Sequence, residues 1–105
     1  MIRQISVEAA RDWLVADDAP QLVDCRELWE WDLAHLPQAI HIPLSEVVER
    51  APELDAARPV LVICHAGVRS LSAAALLSGL GYTATSVRGG TEAWSARIDP
   101  TFPRY

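Results

Sequence analysis

The 105-residue chain is predicted to fold as an α/β domain, with about five parallel strands and helices on both faces of the sheet. Short apolar runs, which predict buried strands, alternate along the chain with segments of helical composition or spacing. Prolines and glycines separate these segments, as expected at turns and helix ends. The length suits one domain, which we expect to span residues 1–105.

The predicted strands share a high content of β-branched or apolar residues; they cover residues 4–6, 21–25, 39–42, 60–63 and 84–87. The first is short and is expected at the edge of the sheet. The fourth, Val60–Ile63, is apolar at every position, which is typical of a central strand buried on both faces.

The predicted helices follow these strands, over residues 7–15, 27–35, 43–51, 70–79 and from 91. Ser6, Ser70 and Thr91 are predicted as N-caps, because their hydroxyl groups can accept from backbone amides of the first turn. Pro37, Pro52 and the glycines at 79 and 81 are expected to end helices. The tail, residues 99–105, holds two prolines and is predicted to be irregular.

Cys64 ends the most apolar strand and is followed by a short loop and a helix. Gly67 permits unusual backbone angles in that loop, and Arg69 and Ser70 lead into the helix. A thiol at the N-terminal end of a helix, beside an arginine, is expected to ionise readily. Cys64 is therefore a candidate nucleophile, and the alternative is an inert buried thiol.

Three polar clusters directly follow predicted strands: Asp24 with Arg26, the loop from Cys64 to Ser70, and Arg88 to Gly90. Because ligands of open α/β sheets bind at the carboxyl ends of the strands, these clusters are expected to meet at one edge. Asp24 and Arg26 are interpreted as supporting scaffold. Cys25 is interpreted as a core residue, and the alternative is a resolving thiol for Cys64.

The net charge of −5 argues against a nucleic-acid partner. The two cysteines do not form a C-x-x-C pair and the three histidines lack metal-ligand spacing, so neither a metal nor a cofactor is expected. No apolar run approaches the roughly 20 residues of a membrane helix. The first residues lack the apolar core of a signal peptide, so a cytoplasmic location is expected.

These motifs, in this order, resemble the rhodanese-like sulfurtransferase family over nearly the whole chain. Leu22–Glu27, continuing to Pro43, is similar to the first family signature, and Cys64–Ser70 is similar to the active-site loop. Gly79–Tyr82 and Val87–Trp94 are similar to the closing signature. The sequence departs from the family pattern at Cys25, where an aliphatic residue is commoner, and at His65, where many thiosulfate-using members have arginine.

The resemblance implies an enzyme of the thiosulfate sulfurtransferase type without a cofactor. Cys64 would carry the sulfane sulfur as a persulfide between a donor, thiosulfate or another persulfide, and an acceptor, cyanide or a thiol. A sulfur-carrier protein or a desulfurase could also serve as partner. The residues expected to bind the substrate surround the sulfur: His65, Ala66, Gly67, Val68, Arg69 and Ser70.

Two alternatives come with the same fold. The first is a phosphatase or arsenate reductase, and related phosphatases have a Cys–Arg loop one residue longer than the four residues between Cys64 and Arg69. The shorter loop favours a smaller anionic centre, and it contains no acidic residue to act as a general acid. The second alternative is a regulatory or docking domain without catalysis, since a fold alone does not establish an activity.

Overall fold

Five strands form one parallel sheet in the computed structural model, which describes residues 1–105. The strands are β1 (Arg3–Ile5), β2 (Gln21–Asp24), β3 (Ile40–His41), β4 (Val60–Ile63) and β5 (Ala84–Val87). Their order across the sheet is β1-β5-β4-β2-β3, and every pairing is parallel. The predicted fold class is confirmed, and each strand lies within two residues of its predicted bounds.

Four α-helices connect the strands, and a fifth follows β5: α1 (Val7–Leu14), α2 (Leu28–Leu33), α3 (Val47–Arg50), α4 (Val68–Gly79) and, last, α5 (Gly90–Arg97). Short 3₁₀ turns, Leu44–Glu46 and Ala51–Glu53, flank α3. The start of α1 agrees with the prediction, because the Ala9 amide donates to the Ser6 side chain at 3.1 Å. Residues 99–105 contain no helix or strand, as predicted.

The starts predicted for the last two helices were wrong. α4 begins at Val68 with Gly67 as its N-cap, and α5 begins at Gly90 with Gly89 as its N-cap. Both cap glycines have a positive φ, 94° for Gly67 and 78° for Gly89. Glycine adopts these angles without steric cost, so each helix starts before the hydroxyl residue that was expected to cap it.

The core lies on both faces of the sheet, as the alternation of side chains along β4 requires. On one face, Val60 and Val62 pack with residues of α3 and α4; the cluster is Val23, Cys25, Ile42, Val47, Ala51, Leu54, Val60, Val62, Cys64, Ala73, Ala74 and Leu77. On the other face, Leu61 and Ile63 pack with residues of α1 and α5, including Val7, Ala10 and Trp94. The helices thus cover both faces of the central strand.

The pairing of β2 with β4 positions the candidate site. Asp24 is paired with Ile63, so the residues after the two strands, Cys25 and Cys64, lie next to each other at the carboxyl edge of the sheet. The chain contains no helix that is long and apolar enough to span a membrane.

Candidate active site

The sulfur of Cys64 lies inside the turn that joins β4 to α4. The backbone amide of Gly67 donates to the sulfur at 3.1 Å, and the amide of Ser70 donates to it at 3.3 Å. The Ser70 hydroxyl oxygen lies 3.4 Å from the same atom. Three polar groups at the N-terminal end of a helix therefore converge on one sulfur, an arrangement that stabilises negative charge.

The carbonyl groups of the loop explain why its amides turn inward. The first turn of α5 donates to them: the Thr91 amide bonds to the Cys64 oxygen at 2.8 Å, and the Glu92 amide bonds to the His65 oxygen at 3.0 Å. Gly90 allows this contact, because a Cβ atom at that position would overlap the Cys64 and His65 carbonyl groups. The loop carbonyls thus face α5, and the Gly67 and Ser70 amides face the sulfur.

Hydrogen bonding lowers the pKa of Cys64 from 9.0 to about 5. The largest cause is a hydrogen bond from the Cys25 thiol, and burial opposes it; the Ser70 side chain and the Ser70 and Gly67 amides add to the lowering. The same hydrogen bond, together with burial, raises the pKa of Cys25. At neutral pH, Cys64 is therefore a thiolate and Cys25 is a neutral donor beside it.

Arg69 lies in the first turn of α4 and is held by Glu30 of α2. Arg69 Nη1 donates to Glu30 Oε1 at 2.5 Å, and Nη2 donates to Oε2 at 2.8 Å. The pair uses two of the five N–H groups of the guanidinium. Glu30 is buried, and the arginine lowers its pKa to about 2. The cation is therefore fixed in position beside the loop, with donors left for a ligand.

Asp24 and Arg26 form a buried ion pair, with Arg26 Nη2 at 2.7 Å from Asp24 Oδ2. Arg26 also donates to the Ala34 carbonyl at 2.6 Å, which ties the end of β2 to the end of α2. The Tyr105 hydroxyl connects this pair to Glu30: it accepts from Arg26 Nη1 at 3.1 Å and donates to Glu30 Oε2 at 2.7 Å. Asp24 and Arg26 thus support the loop through intermediate groups.

The tail lies against the outer side of the loop. The Tyr105 ring stacks on the His65 ring with 4.1 Å between centroids, and Arg104 forms an ion pair with Glu92, which lies 3.4 Å from His65 Nε2. Cys64 is only 1% exposed, and the two surface cavities of the protein lie elsewhere. The site is closed in this conformation, so a ligand reaches Cys64 when the loop or the tail moves.

The loop residues outside this closed centre have different surroundings. Ala66 and Val68 are exposed, and the Val68 side chain is an apolar group on the surface next to the mouth of the site. Trp29 of α2 is also exposed and packs edge-on against Tyr105. Val68 and Trp29 therefore form an apolar part of the rim, whereas the centre of the site is anionic. The polar part of the rim consists of the side chains of His65, Glu92 and Arg104.

Three contributors to the site were not among the predicted residues. Glu30 holds Arg69, Tyr105 bridges Arg26 and Glu30, and the Ser86 hydroxyl lies 2.7 Å from the Ser70 hydroxyl. Ser86 could have been identified from the sequence, because a hydroxyl group inside a predicted buried strand needs a hydrogen-bond partner. For Glu30 and Tyr105, only the tertiary fold brings the groups to the loop.

Comparison with known proteins agrees with this geometry. The sequence model of the family described as Rhodanese-like domain matches residues 6–97. A candidate sulfurtransferase of Bacillus subtilis, YtwF, is 32% identical over 99 residues, which cover 94% of this chain and 96% of YtwF. A candidate sulfur carrier protein of the same organism, YrkF, is 35% identical over 93% of this chain.

Some relatives are longer than this chain. The chain spans 54% of the length of YrkF. It is also 38% identical to the adenylyltransferase and sulfurtransferase uba4 of Ogataea parapolymorpha. That match covers 97% of this chain but only 26% of uba4. The same type of domain thus occurs nearly alone in YtwF and as part of a longer chain in uba4.

Solved structures show the same architecture. A rhodanese-like domain protein of Staphylococcus aureus superimposes with a TM-score of 0.84 and 26% identity, covering 89% of this chain and 91% of that protein. The human single-domain sulfurtransferase TSTD1 superimposes with a TM-score of 0.77 and 26% identity, covering 92% of this chain and 98% of TSTD1. These matches support a role in sulfur transfer, and the chain belongs to the rhodanese-like domain family.

Proposed function

We propose that the protein is a sulfurtransferase that carries a sulfane sulfur on Cys64 as a persulfide. The observation that carries the proposal is the pair of inward-facing amides, Gly67 and Ser70, on a sulfur at the N-terminal end of α4. These donors stabilise a thiolate before the reaction, and they are within reach of the negative charge of a persulfide after it.

In the first half-reaction, the Cys64 thiolate attacks the outer sulfur of a donor such as thiosulfate. The S–S bond of the donor breaks, sulfite leaves with the bonding electrons, and the outer sulfur stays on Cys64. In the second half-reaction, a nucleophile such as cyanide or a thiol attacks that outer sulfur, and Cys64 leaves as the thiolate. Because the two substrates react in turn with one group, the kinetics should be ping-pong.

Arg69 is proposed to orient the oxyanion of the donor through the N–H groups that Glu30 leaves free. His65 is a weaker candidate for the same role, since its ring is stacked under Tyr105 in the closed conformation. Ala66 and Val68 are proposed to shape the loop around the substrate, and the Val68 side chain is part of the apolar rim. Ser70 contributes both an amide and a hydroxyl to the sulfur.

The partners are proposed to be a small-molecule sulfur donor and a thiophilic acceptor. Two observations extend the proposal to protein partners. The first is the exposed apolar rim formed by Trp29 and Val68. The second is the names of relatives, which combine adenylyltransferase with sulfurtransferase or denote a sulfur carrier. A sulfur-carrier protein or a desulfurase would contact this rim while its reactive sulfur approaches Cys64.

A docking domain without turnover is the second candidate, and the burial of Cys64 favours it. A residue that is 1% exposed reacts only to the extent that the loop or the tail above it opens. The low pKa of Cys64 favours the enzyme instead. Strongly shifted pKa values are concentrated at catalytic sites, and a docking surface does not need a thiolate held by amide donors.

Steady-state kinetics with thiosulfate and cyanide test the proposal. We expect the wild type to form thiocyanate with parallel double-reciprocal plots, and Cys64→Ala to fall to the uncatalysed rate. Ser72→Ala, an exposed position on the same helix, is the matched control and should retain full activity. Turnover that persists in Cys64→Ala would contradict the mechanism, and a folded wild type without turnover for any sulfane donor would support the docking domain.

A further inference from the structure

Two cysteines, Cys25 and Cys64, lie side by side under the loop. The register of β2 and β4 pairs Asp24 with Ile63, and the Cys25 amide donates to the Ile63 carbonyl at 3.0 Å, which continues the pairing to the two cysteines. Both side chains belong to the same core cluster, so they point to the same face of the sheet. Neighbouring strands lie about 4.8 Å apart, within the usual Cα–Cα range of a disulfide.

The two thiols also interact in the reduced protein. Each residue is only 1% exposed, so both thiols are surrounded by protein groups rather than by water. The Cys25 side chain is the largest cause of the low pKa of Cys64, and the Cys64 side chain is the largest cause of the raised pKa of Cys25.

We propose that Cys25 is the resolving thiol of Cys64: when a hydroperoxide oxidises Cys64, Cys25 captures the product as an intramolecular disulfide. In the first step the Cys64 thiolate attacks one peroxide oxygen and the O–O bond breaks. Cys64 becomes a sulfenic acid, and the other oxygen leaves with a proton as water or an alcohol. The peroxide gains the two electrons that the sulfur loses.

In the second step the Cys25 sulfur attacks the sulfur of the Cys64 sulfenic acid. The S–S bond forms, the S–O bond breaks, and the hydroxide that leaves takes the Cys25 proton and departs as water. Hydrogen peroxide is close in size to water, so it requires only a small opening of the loop. The disulfide protects Cys64 from the irreversible sulfinic and sulfonic acids.

The charge on the modified Cys64 side chain determines whether Cys25 reacts with it. A Cys64 persulfide retains a negative charge, so Cys25 remains a protonated and weakly nucleophilic donor beside it. A sulfenic acid is neutral, so the charge that opposes ionisation of Cys25 is lost. We therefore expect Cys25 to react with the peroxide-oxidised site and to leave the persulfide for the acceptor.

Mass spectrometry after treatment with hydrogen peroxide tests this inference without reference to sulfur transfer. We expect the wild-type monomer to lose the mass of two hydrogen atoms and to regain it with dithiothreitol. Cleavage with trypsin after Arg26 and Arg69 places the two cysteines in separate peptides, residues 12–26 and 51–69, which should appear as one disulfide-linked species.

The variant Cys25→Ser should instead gain two or three oxygen atoms on Cys64, and dithiothreitol should not remove them. The linked peptide in the wild type tests the inference by itself if this variant does not fold. The inference is overturned if the wild type accumulates the same oxygen adducts as Cys25→Ser, or if its disulfide joins two chains. A wild type that forms the linked peptide but transfers no sulfur would contradict only the proposed function.

Discussion

Individual residues supply the charge of the site. Cys64 carries the negative charge, Arg69 supplies a cation that Glu30 fixes in place, and the donors to the sulfur come from Gly67 and Ser70. None of these groups is unusual alone. Their effect comes from convergence on one sulfur: the hydrogen bonds to Cys64 outweigh the burial that opposes its ionisation.

The ionisation of Cys64 can be measured directly. We expect the ultraviolet absorbance of the thiolate to rise with a midpoint near pH 5, the pKa of Cys64, and this step to be absent from Cys64→Ala. The pKa is lowered, so the thiolate predominates above this midpoint and is lost as the pH falls through it. A midpoint near the ordinary value of 9.0 would show that the hydrogen bonds to the sulfur do not hold the charge.

Replacing Arg69 should affect anionic donors selectively. Arg69→Ala should lower kcat/KM for thiosulfate by about 10- to 100-fold, because a hydrogen bond to a charged group contributes about 1.5–3 kcal/mol. A neutral sulfane donor should lose much less, and this comparison separates donor binding from damage to the fold. Arg3→Ala removes an exposed arginine of β1 that forms no ion pair and should have little effect on either donor. Equal losses for both donors in Arg69→Ala would exclude the proposed role.

At the scale of elements, α5 acts as a support for the loop. Its first amides bond to the carbonyls of Cys64 and His65, and this contact requires Gly90. The active-site loop is therefore shaped by two helix N-termini, its own from α4 and a second one from α5. The second contact links the closing sequence signature to the site, although none of its side chains touches the sulfur.

Gly90→Ala should destabilise the protein, because the new Cβ would overlap two backbone oxygens and φ is positive at this position. We expect a loss of roughly 3 kcal/mol in the free energy of unfolding and a fall of about 10 °C or more in Tm. Gly79→Ala is the matched control: it lies in α4 with open space around it, so it should stabilise by about 0.5–1 kcal/mol. Similar Tm values for the two variants would rule out the α5 contact.

The tail is the other element that acts on the loop. Tyr105→Ala removes a ring stack and two hydrogen bonds, so we expect the open population, and with it the rate of Cys64 alkylation, to rise by about tenfold. Tyr105→Phe keeps the ring and should give an intermediate rate. An unchanged rate in both variants would mean that the tail does not close the site.

At the scale of the whole molecule, the sequence was sufficient for the architecture. Val60–Ile63 could be assigned as a central strand because every residue is apolar, and the alternation with helical segments requires parallel pairing. The predicted starts of α4 and α5 were wrong because Gly67 and Gly89, and not Ser70 and Thr91, are the N-cap residues. Local preference identified good cap residues, and the backbone angles available to glycine decided where the helices begin.

The candidate site could be located from the sequence, but its contacts could not be derived from it. The chain order brings Asp24, Arg26 and the Cys64 loop to one edge, whereas Glu30 and Tyr105 reach it through contacts 39 and 75 residues apart in sequence. Such pairs depend on how helices and tail pack on the sheet, which periodicity does not specify. The contact of Cys25 with Cys64 was foreseeable only as one alternative, since it depends on the register of β2 and β4.

The Cys64 persulfide can be tested directly by the intact mass of the protein after incubation with thiosulfate and removal of the excess. We expect the wild type to gain the mass of one sulfur atom, cyanide to remove it with release of thiocyanate, and Cys64→Ala to gain nothing. A wild type that gains no sulfur, or a Cys64→Ala variant that gains as much as the wild type, would contradict the proposed persulfide.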